Sequence, residues 1–228
     1  MIRVALVVGV GVVAALAVAV GPLYAADRFR DLREPTDAER TQIAALAEPG
    51  GLGVDRIAIE SVVSEDAGGK SAAEGPAEVS VRGPPGRRVL FLTEDVLTDL
   101  DEDVAIGLFA AEAGRVATFY AEFRAVAVGA VLATLAAVVT TLVPFESGFA
   151  ALVAVGVVSF WAGRRVQYAA DARAADAVGA DRVADAFERG AARRGVAPET
   201  GDWSTWFEVQ PPLGDRIERL RERAAEEN

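Results

Sequence analysis

Glu112 is the residue whose neighbours give it a recognisable chemistry. It stands in Ala111-Glu112-Ala113-Gly114-Arg115, which has the spacing of a His-Glu-x-x-His helix with both histidines replaced. In that motif the histidines at i and i+4 face one way and bind zinc, while the glutamate between them acts as general base. Here only the glutamate is present. Upstream, Asp101, Glu102 and Asp103 make an acidic start that suits the positive end of a helix dipole. Val104, Leu108, Ala111 and Arg115 then fall on neighbouring turns, so the pentapeptide reads as the interior of a helix. Without a metal to acidify water, Glu112 has nothing strong enough to activate. Its simplest role is a relic carboxylate paired with Arg115 at i+3.

The residues that are missing narrow the chemistry further. The chain has no cysteine, which excludes disulfides, thiolate nucleophiles and cysteine-based metal sites. It has no histidine, which removes the commonest zinc ligand and the commonest general base at neutral pH. No Ser-His-Asp or Cys-His constellation can be built, and a zinc site would need carboxylates alone. The 34 acidic residues outnumber the 23 basic ones, for a formal net charge of −11. That balance excludes a nucleic-acid partner, because phosphate binding needs a basic surface. Lys70 is the sole lysine. Acidic excess with arginine as nearly the only cation looks halophile-like, the protein of a salt-loaded cytosol; a GC-rich genome is the alternative source of the same bias.

The elements that must position Glu112 alternate between polar and strongly apolar stretches. Val4 to Val20 is an unbroken apolar run ending at Gly21-Pro22, long enough to span a bilayer. It reads as an N-terminal anchor (residues 1–24), with a secretory signal cleaved near Ala25-Ala26 as the rival. Asp31 to Ala47 has helical spacing and a cap at Thr36, and Pro49-Gly50-Gly51 stops it. Arg56 to Glu60, with Val62-Val63, Glu78 to Arg82, and Arg88 to Thr93 read as strands. Ser64 to Pro76 reads as a loop, and Gly83 to Gly86 as a turn. Ala125 to Val143 and Gly148 to Gly163 form a second and third apolar run, broken by Pro144-Phe-Glu-Ser147 and closed by Arg164-Arg165. They predict a transmembrane hairpin at about 125–163, with a soluble core as the rival because the third run is short. Arg28, Arg30, Arg33, Arg124, Arg164 and Arg165 all lie on one side of these spans, which the positive-inside rule makes cytoplasmic. Val166 to Gly195 is a further alanine-rich helical stretch. The fold class is mainly α (α+β): an anchor helix, a small sheet, a metallopeptidase-type helix, a membrane hairpin and a C-terminal helical bundle, the domain running over residues 31–228.

With its elements in this order, the chain resembles the HtpX-like membrane zinc metallopeptidases, whose relatives include the CAAX prenyl endopeptidases. Four landmarks carry the resemblance. Val89 to Leu97 with Leu100-Asp-Glu-Asp103 looks like the family's strand and approach to its active-site helix. Ala111 to Arg115 occupies the zinc motif. Arg164-Arg165-Val166-Gln167-Tyr168-Ala169-Ala170-Asp171 resembles R-x-x-E-[FY]-x-A-D, and Gln210-Pro211-Pro212 leading to Arg216-Ile217 resembles T-H-P-P…R-I. The resemblance covers roughly Ala44 to Leu220. Its departures fall on the chemistry. The histidine ligands correspond to Ala111 and Arg115, the glutamate ligand to Gln167 and the late histidine to Gln210. Glu112, Gly114, Asp171, Pro211-Pro212 and Arg216 remain as framework.

The resemblance implies zinc, yet its ligands are absent, so no cofactor is expected. Arg115 has two readings: a cation where the zinc charge would sit, neutralising Glu112 and bonding Gln167, or a side chain turned to water or the membrane surface. Asp171 is expected to cap or pair locally. Trp203 and Trp206 could line a groove, or pack in the core. Three functions follow: an inactive peptidase homologue binding membrane proteins or peptides and regulating an active paralogue, an active peptidase with atypical ligands, or a membrane scaffold without peptide binding. The first is the expectation, with the lipid bilayer and membrane proteins or peptides as partners. A groove beside Val89 to Thr93, open for peptide strand addition, would separate it from the third.

Overall fold

A computed structural model describes residues 1–29, 32–60, 78–193 and 211–227. The readings of Val62-Val63, the 64–76 loop, Trp203, Trp206 and Gln210 fall outside the described residues. The chain is mostly helical with one small mixed sheet, as its pattern predicts.

Among the described residues, three stretches are long and apolar enough to cross a membrane: Ile2–Ala25 within α1 (Ile2–Phe29), α5 (Tyr120–Val139), and α6 (Phe145–Val178). α1 does not stop where its apolar run does. It carries Pro22 in its interior and continues to Phe29, a placement that membrane helices tolerate because neighbouring groups re-satisfy the freed carbonyl. α1 runs antiparallel along α5. Arg3 Nη1 donates to Thr141 Oγ1 at 3.1 Å near one end of the pair. Midway, the backbones nearly touch. A Cβ on Gly11 would lie 2.9 Å from the Ala133 Cβ, and one on Gly129 2.8 Å from the Gly11 carbonyl oxygen. Gly11, Ala15, Gly129 and Ala133 thus form a small-residue seam, the usual means by which membrane helices approach closely.

The helix that carries the third apolar run extends past Arg164-Arg165, where that run closes: α6 is one helix of 34 residues, about 51 Å at the standard rise. The arginines mark where apolar surface ends, but nothing in Arg164 to Ala170 breaks a helix. They lie over Phe160 and Trp161, at 5.3 and 5.4 Å from the ring centroids, a cation–aromatic pairing suited to a membrane–water interface. Gly179, at φ 92°, ends α6. The second span begins at Tyr120, after Phe119 takes a left-handed conformation (φ 53°) that separates α4 from α5.

The sheet contains β1 (Leu32–Arg33), β2 (Arg56–Glu60), β3 (Val79–Arg82) and β4 (Val89–Thr93) in the order β1-β2-β4-β3. β2 and β4 are parallel, with Ile57 opposite Leu90 and Ile59 opposite Leu92, while β3 is antiparallel to β4. Every residue of β4 is buried, because both faces are covered. Ile59, Leu90 and Leu92 pack with Ile43, Leu46 and Phe109 from α2 (Asp37–Ala47) and α4 (Glu102–Ala117). Ala58, Val89 and Phe91 meet Leu23 of α1 on the other face. β4 is paired on both sides, so strand addition next to it falls to β3, which with β1 is one of the sheet's two edge strands.

α3 (Asp95–Thr98) leads into α4, and α7 (Ala180–Arg193) and α8 (Leu213–Glu227) complete the bundle. α4 is its central member, with α6 and α7 against it and Ala110, Ala111, Ala174, Val183, Phe187, Ile217 and Leu220 in the shared core. Arg221 of α8 ties the bundle's surface together, reaching Asp181 and Glu188 at 3.0 Å each, and Asp185.

Candidate functional site

Glu112, Arg115, Gln167 and Asp171 come together where α4 crosses α6. The crossing is close because Gly114 has no side chain: a Cβ there would lie 2.2 Å from the Ala170 carbonyl oxygen. That fixes why a glycine follows Ala113 in the pentapeptide. Ala111 is buried in the hydrophobic core and offers no donor.

Both oxygens of the buried Glu112 carboxylate are committed. Oε1 accepts from Arg115 Nη1 at 2.5 Å, and Oε2 accepts from the Val81 backbone N–H of β3 at 3.1 Å. The i+3 pair read from the sequence forms. Burial works against the charge of Arg115, but Glu112 and then Asp171 favour it, and the net effect raises its pKa above the ordinary arginine range. Arg115 is thus a permanent cation at the site.

Asp171 pairs locally, as expected, with Gln167 four residues before it, and also across 45 residues, with Arg216 of α8. Arg216 Nε donates to Oδ2 at 2.8 Å and Nη2 to Oδ1 at 2.7 Å, a forked pair in which both side chains are buried. The guanidinium also lies 4.4 Å from the Phe187 ring centroid. Gln167, fully buried, donates from Nε2 to Asp171 Oδ1 at 3.1 Å. The Arg115–Gln167 bond that one of the two readings of Arg115 called for does not form, and among the described residues Gln167 Oε1 and Arg115 Nε are both buried without a partner.

A zinc ion held on this helix would need donors at Ala111, Arg115 and Gln167. The first is a methyl group, the second a cation, and the third a neutral amide whose oxygen is the one lone-pair donor left among the three. Glu112 and Asp171 are each neutralised by an arginine. Among the described residues, no three Asp or Glu side chains gather as a metal would require. The residues present do not fit zinc.

Beside the pair lies a cavity of about 540 Å³, walled by β3, α4, α5 and the Val18–Pro22 turn of α1. No local sequence pattern marks it, since its walls come from four separated segments. Val81 directs its N–H to Glu112 and away from β4, so the free edge of β3 faces this space and Glu112 occupies one of its hydrogen-bonding positions.

No family model and no curated protein sequence matches the chain. Among solved structures it is similar to the crystal structure of Ste24p from S. mikatae, with a TM-score of 0.62 at 16% identity, over 92% of this chain and 55% of that one. The chain therefore spans about half the length of that protein. The likeness is one of fold.

Proposed function

We propose that this chain is a catalytically inactive membrane metallopeptidase homologue, a degenerate HtpX-like protein that holds peptides or membrane-protein segments without cutting them. The observation that carries the reading is the self-sufficiency of the site: each buried carboxylate already has its own arginine, Glu112 with Arg115 and Asp171 with Arg216. The Ste24p-like fold supports the peptidase ancestry, and the four sequence landmarks supply the family. The arginine-rich ends of the spans support a cell-membrane protein with its helical domain in the cytoplasm.

Binding would use the β3 edge. An extended segment added antiparallel or parallel to β3 finds unpaired backbone groups at Val79 and at the Val81 carbonyl, and displaces Glu112 from the Val81 N–H. Released, Glu112 keeps Arg115 as its counter-ion, so opening the edge exposes no unpaired charge. With no metal-bound water to attack it, the segment is held intact, and withholding such segments from an active homologue is the regulatory role this supports.

The test is metal content of the detergent-solubilised protein in high salt, paired with a casein-type cleavage assay with and without added zinc. Substoichiometric metal and no cleavage are expected. Stoichiometric zinc with chelator-sensitive cleavage, abolished by Glu112→Gln, would overturn the proposal.

A further inference from the structure

The cavity beside Glu112 has a second character that peptide binding does not use. Its floor is apolar and belongs to the membrane: Val18, Ala19 and Pro22 of α1 and Ala121 of α5. Its upper wall is charged. Three of the arginines that line it are already paired, Arg82 with Glu78 at 3.6 Å, Arg88 with Glu122 at 3.1 Å and Arg115 with Glu112. The fourth, the exposed Arg124, has among the described residues only the face of Tyr120, at 6.0 Å from the ring centroid. The seven charges lining the space therefore leave one positive charge over, near the start of a membrane span.

Three residues of the lining each carry a buried polar atom with no hydrogen-bond partner among the described residues: Tyr120 Oη, Ser80 Oγ and Arg115 Nε. Tyr120 is 5% exposed, so its hydroxyl is shielded from bulk water. Buried donors left unpaired are costly. Three of them, from α5, β3 and α4, on one cavity with an unpaired arginine form an acceptor-seeking set. The ligand that meets all these features has an anionic, oxygen-rich head and an apolar body, and reaches the cavity sideways at headgroup depth.

We infer that the cavity binds one anionic phospholipid, its phosphate beside Arg124 and the Tyr120 hydroxyl and its chains along the α1–α5 floor. The site would join α1 to the sheet and to α4 through a lipid, making occupancy of the β3 edge responsive to the composition of the surrounding leaflet. Arg165, which is exposed, lies over Trp161 on the same side of the spans but outside the cavity lining, and so serves as an internal control for general headgroup attraction.

The experiment titrates the full chain in detergent with dioleoylphosphatidylglycerol, dioleoylphosphatidylcholine or inorganic phosphate, and counts adducts by native mass spectrometry. One saturable phosphatidylglycerol per chain is expected, weakened roughly tenfold by Arg124→Gln and about threefold by Tyr120→Phe, as loss of a charged and of a neutral hydrogen bond gives. Arg165→Gln should change it by less than about twofold. Equal loss in Arg165→Gln and Arg124→Gln would reduce the effect to surface electrostatics and overturn the inference. So would phosphatidylcholine bound as tightly as phosphatidylglycerol, inorganic phosphate bound with the same Arg124 dependence, or a saturable site that neither cavity variant weakens.

Discussion

Removing Arg216 should damage the protein more than removing Arg216 and Asp171 together. The pair is buried at both ends, with side-chain exposures of 7% and 6%, and is held by two parallel bonds of 2.8 and 2.7 Å. In Arg216→Met, the Asp171 carboxylate stays buried with Gln167 Nε2 as its one remaining side-chain donor. Breaking a buried pair in this way costs about 3–5 kcal/mol. In Asp171→Leu/Arg216→Met both charges are gone and an apolar pair fills similar volume, which is near neutral in itself. What remains is the Gln167 amide without its acceptor, about 1–3 kcal/mol. The second substitution should therefore restore roughly 2 kcal/mol of what the first removes. For a domain of this size, Arg216→Met should lower the unfolding midpoint by roughly 6–20 °C and the double variant by roughly half of that or less. Thermal unfolding of the four proteins, wild type, two singles and the double, in one detergent and salt closes the cycle. Additive losses, with the double variant least stable of all, would refute the account of a self-contained ion pair.

Other outcomes follow from single contacts. Gly114→Ala forces α4 away from the Ala170 carbonyl and should cost about 1–3 kcal/mol, read as a lower denaturant midpoint. Gly11→Leu wedges the α1–α5 seam and should lower the detergent melting point by a comparable amount, whereas Gly9→Leu, with open space around it, should not. Asp95 is buried with Oδ2 unpartnered, and burial followed by the charge of Asp99 raises its carboxyl above the ordinary value of 3.8. Ionisation then opposes folding, so Asp95→Asn should stabilise the protein at neutral pH and lose that advantage below pH 3.8. Glu39 behaves oppositely. A hydrogen bond from Arg33, then one from the Thr36 backbone, holds it near 2 rather than 4.5. Its contribution is complete above pH 4.5 and fades as pH falls toward 2, so Glu39→Gln should shift the urea midpoint at neutral pH and converge with wild type in acid.

Local signals in the sequence were reliable because they act over one or two turns. Thr36 reads as a cap, and it caps α2, with Glu39 completing a capping box. Arg56 to Glu60 and Val89 to Thr93 carry β-branched and aromatic runs between breakers, and both are strands. Glu112 and Arg115, three apart on a helix, find each other. Local signals leave out partners distant in sequence. The apolarity of β4 marks a strand covered on both faces and paired on both sides, which leaves β3 as the sheet edge next to it. Asp171 meets Arg216 only because α8 packs against α6. Arg164-Arg165 announce the end of lipid contact, and the helix has no reason to end with it. The seam of Gly11 with Gly129 depends on which two helices adjoin, which no local pattern states.

The substitutions at the site make sense together as electrostatics, on the reading proposed above. A divalent ion with one glutamate ligand contributes a single net positive charge to a buried pocket. Arg115 beside a neutral Gln167 contributes the same charge. Glu112 and Asp171 therefore face the field they would face around a metal, and Arg216 can keep its fork on Asp171 without adjustment. Replacing the glutamate ligand by glutamine is the necessary companion of replacing the metal by arginine: a glutamate at 167 would sit 4 residues from Asp171 on the same helix face, fully buried, with one cation too few. The remaining ligand position, Ala111, takes the cheapest solution for a core site that no longer needs a donor, which is a methyl group packed among Ala174, Val183 and Phe187. The fold stays closed because every charge buried at the crossing of α4 and α6 has been matched, and it is this matching that leaves Glu112 available to guard the β3 edge instead of activating water.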